Sequence, residues 1–401
     1  MSVLFLSAKT GSRNALHVTD ALRFPLFQME ETIMFTADSR EAGADPGLIV
    51  LTGQDIQSLL AGKELEIIEC IKSAYRIHGL NDSTLPHSSF LLFPDQPRDR
   101  IIALPAYLGG NVNGAGIKWI SSFPDNIHHG IDRASAVLIL NSIETGRPKA
   151  LLEGSIISAK RTAASAALAA QILRIGKKTV AGFIGCGVIN FEIARFLRYT
   201  TPDVDTFLLF DLDQDRARRF QDRCESTFKG VNVLTTSSMG EVLGEANLIS
   251  FATTASTPHV HDLKPCCDET VILHISLRDL APAVILSSEN VVDDIDHVCR
   301  ANTSLHLTEQ QVGNRQFVRC SLADVLNGFA EPRVPKGKIA VFSPFGLGVL
   351  DIALGEYALA SAKARGTGQW VASFFPDQWD QNLPIASTAG LEPRQIEVTV
   401  R

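Results

Sequence analysis

Between Lys178 and about residue 320 the sequence repeats one arrangement. Short apolar runs, TVAGFIG, TFLLFD, LISFAT and VILHIS, alternate with stretches of helical spacing. A strand with no polar face must be covered on both sides. Intervening helices supply that cover, so the pattern predicts a doubly wound parallel α/β sheet of the Rossmann kind.

The first run leads into Gly185-Cys186-Gly187-Val188-Ile189-Asn190, which opens the helical stretch NFEIARFLRY. Glycine at the first position permits a tight strand-to-helix turn, and at the second lets the backbone approach a pyrophosphate. The unpaired N–H groups of the helix start, beside Val188 and Ile189, carry a partial positive charge suited to phosphate. Asn190 stands where the usual pattern has a third glycine. The next strand ends in Asp211, at about the 20-residue spacing where an acid bonds the adenosine ribose. An acid there repels a 2′-phosphate, which favours NAD over NADP, although Arg216 and Arg218 lie close in sequence. Ligands of such sheets sit outside the carboxyl ends of the strands. Thr253 and Thr254 after LISF, and Ser276 and Leu277 after VILHI, are therefore expected to line the same cleft.

The flanks follow a different grammar. Residues 1–46 read as an irregular extension ending in EAGADPG. From Leu48 onward come a short strand, two amphipathic helices, and then strand-like segments separated by Gly, Pro and Asn turns: SSFLLF, RIIALPAY, GAGIKWISSF and ASAVLILN. These predict a mixed sheet built from meanders. A helix over about 155–173, rich in alanine, suits a close-packed interface. SPFGLGVLD opens a late helix. The expected organisation is an extension (1–46), a mixed α+β substrate and dimerisation domain (47–175 with 321–376), an inserted Rossmann unit (176–320) and a tail (377–401).

A chain of 401 residues with 37 basic and 44 acidic side chains has a net charge of −7 and no long basic run. Nucleic acid and anionic membranes are poor partners for it, while a local basic pocket for an acidic small molecule is compatible. Seven scattered cysteines without a CxxC pair indicate neither a zinc site nor a disulfide framework, and reduced thiols predict a cytoplasmic protein. No apolar run approaches the ~18 residues of a membrane span. Lys9, Arg13 and Arg23 leave organelle targeting by the N-terminus as an open alternative.

Three basic residues stand out by their surroundings. Lys118 sits within the otherwise apolar GAGIKWISSF, where a cation is costly unless paired or set to work on a substrate. Arg161, preceded by Lys160, lies near the start of the alanine-rich helix, and a guanidinium there can clamp a carboxylate. Arg278-Asp279 follows VILHIS, where a nicotinamide ring is expected. Together they favour an anionic, amino-acid-like substrate. His87, His128 and His129 lack metal-ligand spacing, and no metal is predicted.

The runs KWISSFPDN, RASAVLILN, TGRPKALLEG and SAKRTAASAALAA, followed by the GCG turn, resemble the ornithine cyclodeaminase/μ-crystallin superfamily. RIIALPAYLGG, FPDNIHHGIDRASA, SLRDLAP and SPFGLGVLD are similar to its diaminopropionate-forming branch, the SbnB-type N-(2-amino-2-carboxyethyl)-L-glutamate dehydrogenases. The likeness covers about residues 47–376. It implies NAD-dependent oxidative cleavage of that secondary amine to L-2,3-diaminopropionate and 2-oxoglutarate. It further implies a homodimer formed through the mixed sheet. By the resemblance, Lys118 is the active-site lysine, Arg161 grips a substrate carboxylate beside the cofactor, and Ser135 also meets the cofactor. Arg278 helps neutralise the substrate, and Asp279 activates or orients the hydrolytic water. The chain departs from these relatives twice. Ala103 replaces a glutamate of the cyclodeaminases, which argues against ring-forming deamination, and FLLF replaces FLRF, with Leu92 at a substrate-binding arginine. Arg98 and Arg100 are candidates to compensate. The alternatives are a ketimine reductase, another amino-acid dehydrogenase or cyclodeaminase of the superfamily, and a non-catalytic dinucleotide-binding protein like μ-crystallin.

Overall fold

Antiparallel pairing dominates the first half of the chain. Its elements are β1 (Leu48–Leu51), α1 (Gly53–Leu60), α2 (Glu64–Gly79), β2 (Ser83–Thr84), β3 (Ser89–Phe93), β4 (Gln96–Leu108), β5 (Gly114–Ser122), β6 (Ala136–Asn141), β7 (Pro148–Glu153) and α3 (Ser155–Leu173). This computed structural model describes residues 47–372, apart from 178, 334–337, together with 374 and 375. The expectations for 1–46 and 377–401 lie outside the described residues. The first sheet has the order β16-β1-β7-β6-β5-β4-β2, with β3 paired to β4. Strands β4 to β7 form an antiparallel meander, and β1 joins β7 in parallel. Alternation along the strands turns Leu104, Leu138 and Leu152 to a buried inner face. Trp119 and Val137 take the other face and are each 38% exposed.

The second half is the predicted doubly wound sheet. It runs through β8 (Val180–Ile184), α4 (Val188–Thr200), β9 (Thr206–Phe210), α5 (Gln214–Thr227), β10 (Asn232–Thr235), α6 (Met239–Glu245) and β11 (Leu248–Phe251). Then follow β12 (Val271–His274), α7 (Pro282–Ser287), β13 (Glu289–Val292), α8 (Ile295–Val298), α9 (Ser304–Val312), β14 (Val318–Ser321) and α10 (Leu322–Leu326). The chain closes with β15 (Ala340–Ser343), α11 (Gly348–Arg365) and β16 (Gln369–Val371). All pairs in the order β10-β9-β8-β11-β12-β15-β13-β14 are parallel. The sheet therefore reaches beyond the sequence-based limit at residue 320. Its strand β15 lies between β12 and β13, a four-residue strand of three apolar residues and Ser343 whose membership only the long-range pairing reveals.

Helix α3 is the wall common to both layers. The Glu153 carboxylate receives the Ser155 and Ile156 N–H groups at 2.7 and 3.0 Å, satisfying donors that a helix start leaves free. Ala163, Ala164, Ala166, Ala167, Ala169 and Ala170 are fully buried, and α3 packs on α2, α4 and α11 as well as β12 and β15. One continuous apolar core accordingly contains Leu138 of the first sheet and Phe183, Leu273 and Phe342 of the second. Small side chains let these elements approach closely, so the interface expected from the alanines lies within the chain.

Candidate active site

The glycine turn stands where the order of the parallel sheet reverses, between β8 and β11. Gly185 has φ +92°, and a Cβ there would lie 2.6 Å from the Ala252 carbonyl oxygen, so only glycine fits. A Cβ on Gly187 would meet nothing within 4 Å, and no side chain caps α4 behind it. That open space before an uncapped helix start fits a dinucleotide pyrophosphate. Val188 is exposed there, whereas Ile189 packs partly against the core. Asn190 has a task of its own. Its Nδ2 donates to the Ile184 and Gly185 carbonyls at 3.1 and 2.7 Å, and its Oδ1 accepts from Ser250 at 2.7 Å. The departure from the third glycine thus ties the ends of β8 and β11 together.

Asp211, at the carboxyl end of β9, accepts the Cys186 N–H at 2.8 Å and the Asp213 N–H at 2.9 Å. Each carboxylate oxygen keeps a lone pair for a ribose hydroxyl. Arg216 approaches within 3.9 Å of Asp211, and the neighbouring Leu212 is 93% exposed. Burial pushes the Cys186 thiol up to about 12, so it is an inert part of the turn.

At the ends of β11 and β12 the expected loop residues surround a buried acid. Asp279 accepts hydrogen bonds from the Thr253 and Ser276 hydroxyls and lies 3.3 Å from His274 Nε2. Desolvation pushes its pKa up, but the contacts with His274, Ser276 and Thr253 outweigh burial and hold it below the usual carboxylate range. His274 Nδ1 lies 3.1 Å from the Ser343 hydroxyl at the end of β15. Asp279 is fully buried, so a molecule in the cleft reaches it through Thr253 or Ser276. Thr254 is exposed. Leu277 has φ +66° and packs its side chain into the second core cluster, leaving only its backbone to face a ligand.

The inner face of the first sheet contributes one cation and helix α3 another. Lys118, 1% exposed, pairs with Asp351 Oδ2 at 2.7 Å and donates to Ser158 Oγ at 3.1 Å. Arg161 Nε donates to Asp351 Oδ1 at 3.0 Å, and its Nη2 reaches Ser158 at 3.4 Å. Two cations share one buried acid, which leaves a positive charge for an anion. Burial, and then repulsion from Arg161, lower the Lys118 ammonium to about 8, against the pull of Asp351. Gly346, with φ +94°, gives the guanidinium its seat, since a Cβ there would lie 2.8 Å from Arg161 Nη1. The Phe345 and Gly346 N–H groups are held in turn by the buried carboxylate of Asp293 at 2.9 and 2.7 Å.

This juxtaposition depends on β15. Its carboxyl end lies beside that of β12 and carries the chain through Gly346 into α11, whose first turn bears Asp351. The Gly346 seat of Arg161 therefore follows the carboxyl end of β15, which lies three strands along the parallel sheet from that of β8 and its glycine turn, about 14 Å at ordinary strand spacing. Asp351, Ser158, Gly346 and His274 were not singled out in the sequence. Asp351 had a readable trace, an acid set among the apolar residues that begin the helix, GVLDIALG.

Other expected residues sit apart from this group. Lys160 pairs with Glu192 of α4 at 3.3 Å and so joins helices. Ser135 lies in an exposed segment beside β5, 2.9 Å from the Ser121 hydroxyl. Arg98 pairs with Asp125 at the surface. Ala103 is the cross-strand partner of Trp119, and Leu104 that of Lys118. Residue 103 thus faces away from Lys118, and a glutamate there would not enter this site. Arg278 donates to the Ala301 carbonyl at 2.7 Å.

Comparison with known proteins gives a consistent set of relatives. The model of the ornithine cyclodeaminase/mu-crystallin family matches residues 50–365. The N-((2S)-2-amino-2-carboxyethyl)-L-glutamate dehydrogenase of Staphylococcus aureus is 26% identical, over 80% of this chain and 97% of its own. An archaeal alanine dehydrogenase dimer, solved with bound NAD, superposes with a TM-score of 0.74 at 25% identity, over 82% of this chain and 99% of the other. The Thermococcus litoralis Δ1-pyrroline-2-carboxylate reductase, solved with NADH and L-proline, has the same fold, with a TM-score of 0.76 at 24% identity. That alignment covers 80% of this chain and 100% of the reductase.

Proposed function

The chain belongs to the ornithine cyclodeaminase/mu-crystallin family, and within it we propose that this protein cleaves N-(2-amino-2-carboxyethyl)-L-glutamate oxidatively to L-2,3-diaminopropionate and 2-oxoglutarate. It is an NAD-dependent oxidoreductase acting on amino acids. The observation that carries the specific reading is the buried Lys118–Asp351–Arg161 group at the cofactor edge of the parallel sheet, which holds two cations against one acid.

When bound, NAD supplies the hydride acceptor. Arg161, fixed by Asp351 and Ser158, grips the α-carboxylate of the glutamyl carbon. Lys118, with a pKa near the working pH, takes the proton from the substrate's ammonium and frees the nitrogen lone pair. As the hydride leaves Cα, that lone pair forms the C=N bond. Water adds to the same carbon and gives up a proton, and collapse of the carbinolamine breaks the C–N bond. The amine departs as diaminopropionate and the carbon as the keto group of 2-oxoglutarate. Thr253 and Ser276, positioned by Asp279, orient the water. Incubation of the protein with the amine and NAD should give equal amounts of NADH, diaminopropionate and 2-oxoglutarate by mass spectrometry. NADH oxidation by a cyclic imino acid, with no turnover of the amine, would shift the reading to ketimine reduction.

The outer face of the meander, with Leu91, Trp119 and Val137 partly exposed, is where this reading places a homodimer contact. No described helix is long and apolar enough to cross a membrane, and a cytoplasmic location belongs to the same proposal.

A further inference from the structure

A second group of cations lies on the same sheet face as Lys118 and has no acid side chain bonded to it among the described residues. In the register of β4 and β5, Leu104 faces Lys118, Ile102 faces Ile120 and Arg100 faces Ser122. Alternation therefore puts Arg100, Ser122 and Lys118 on one face. Arg100 is also the cross-strand partner of Leu92 on β3. Arg133 donates from Nη2 to Ser122 Oγ at 3.3 Å, and its buried Nε has no hydrogen-bond partner. From the opposite sheet comes Arg278, anchored on the Ala301 carbonyl. Arg100 depresses the pKa of Arg133, and both depress that of Arg278, with burial the larger cause in each case. Arg100 and Arg133 thus meet at Ser122, and Arg278 lies within electrostatic reach of both, with Asp279 acting on it in the opposite sense. A cavity of about 240 Å³, lined by Ser88, Phe90, His297, Arg300, Ala301 and Phe345, reaches the cluster at the Ala301 residue that anchors Arg278. It joins the carbonyl that anchors Arg278 to the residue preceding the Gly346 seat of Arg161.

We propose that Arg100, Arg133 and Arg278 form a second carboxylate site, which receives the acid group of the substrate farthest from the reacting carbon. This deepens the function proposed above and rests on it. The orphaned Arg133 Nε is a donor whose desolvation is uncompensated until an anion arrives. Arg100 restores from β4 the cation that Leu92 withholds on β3. From residue 118 to residue 122 strand β5 advances about 13 Å, at ~3.3 Å per residue. Long cationic side chains at both ends reduce that gap to the span of a short dicarboxylate. The site thereby selects amino acids with a second acid group over those with one.

The test uses the full chain with NADH bound, and glutarate and butyrate as probes. The wild type should bind glutarate at least ~10-fold more tightly than butyrate. Charge-assisted hydrogen bonds of this kind put the loss in glutarate affinity at about 10–100-fold for Arg133→Gln and for Arg278→Gln. Butyrate and NADH affinities should stay nearly constant, and Arg133→Lys should recover part of the loss. Arg98→Gln, outside the cluster, should behave as wild type. Equal binding of the two acids by the wild type, unchanged glutarate binding in both Gln variants, or a loss shared by NADH overturns the proposal. If Arg133→Gln fails to fold, Arg278→Gln and the wild-type comparison still decide. Glutarate selectivity without any turnover of the secondary amine would retain the site and remove the reaction instead.

Discussion

Lys118 of β5 and Asp351 of α11 meet at 2.7 Å with both side chains out of contact with water. The same carboxylate holds Arg161 at 3.0 Å. Removing the acid leaves two buried cations facing each other, a far larger penalty than losing a surface pair. Asp351→Asn should cost about 3–5 kcal/mol of stability, read from urea denaturation. An unchanged midpoint would show that water compensates the cations and that Asp351 is dispensable.

The depressed ammonium of Lys118 has two consequences of known sign. For the oxidative reaction the neutral amine is the active form, so kcat/KM should rise with pH through about 8. Lys118→Arg retains a cation and should lose that limb. Stability moves the same way. The folded chain releases this proton near 8 and the unfolded chain only near 10.5, so raising the pH across that window favours folding. A kcat/KM that falls through the same range would assign the protonated form as the active one.

Asp211 holds the glycine turn through the Cys186 N–H and keeps lone pairs for the ribose. Asp211→Ala removes both contributions. NADH affinity, followed by cofactor fluorescence, should drop about 10–100-fold, while NADPH should lose less because the acid repels its phosphate. Equal losses for the two nucleotides would place the 2′ position elsewhere.

Local pattern made one half of this site readable. Apolar runs, the Gly185 and Gly187 turn and Asp211 are close in sequence, and each follows from backbone geometry that neighbouring residues dictate. The conspicuous cations Lys118 and Arg161 were legible because a charge in an apolar run needs a reason. What holds them was not. Asp351 lies 190 residues from Arg161, and only β15, whose place in the sheet is decided by strands distant in sequence, brings it there. Lys160 and Arg161 look alike in the sequence, yet consecutive helical positions face different neighbours, Glu192 for one and Asp351 for the other. Ala103 illustrates the same limit, since strand alternation turns it away from the site.

Gly346 ties backbone conformation to the placement of the Arg161 guanidinium. Its φ of +94° disfavours any side chain, and a Cβ would press on Arg161 at 2.8 Å. Gly346→Ala should lower stability by about 1–3 kcal/mol and raise KM for the amine while NADH affinity stays near wild type. Parallel losses of NADH and substrate affinity would mean that the whole cleft edge has collapsed, and the assignment of Gly346 to the guanidinium would fail.

The outer face of the meander offers the last prediction. Trp119 and Val137 are direct cross-strand partners, and Leu91 lies on the same side of the sheet two strands from Trp119. A partly exposed apolar row on a sheet face suits self-association, and a second copy buries both rows at once. Light scattering of the wild type should therefore give twice the chain mass of 43.5 kDa. Trp119→Asp places a charge in the middle of the row and should shift the protein to monomer. Because Lys118 faces the opposite way on the same strand, the monomer should still bind NADH. A wild type that is monomeric at all concentrations assigns that face to something other than self-association.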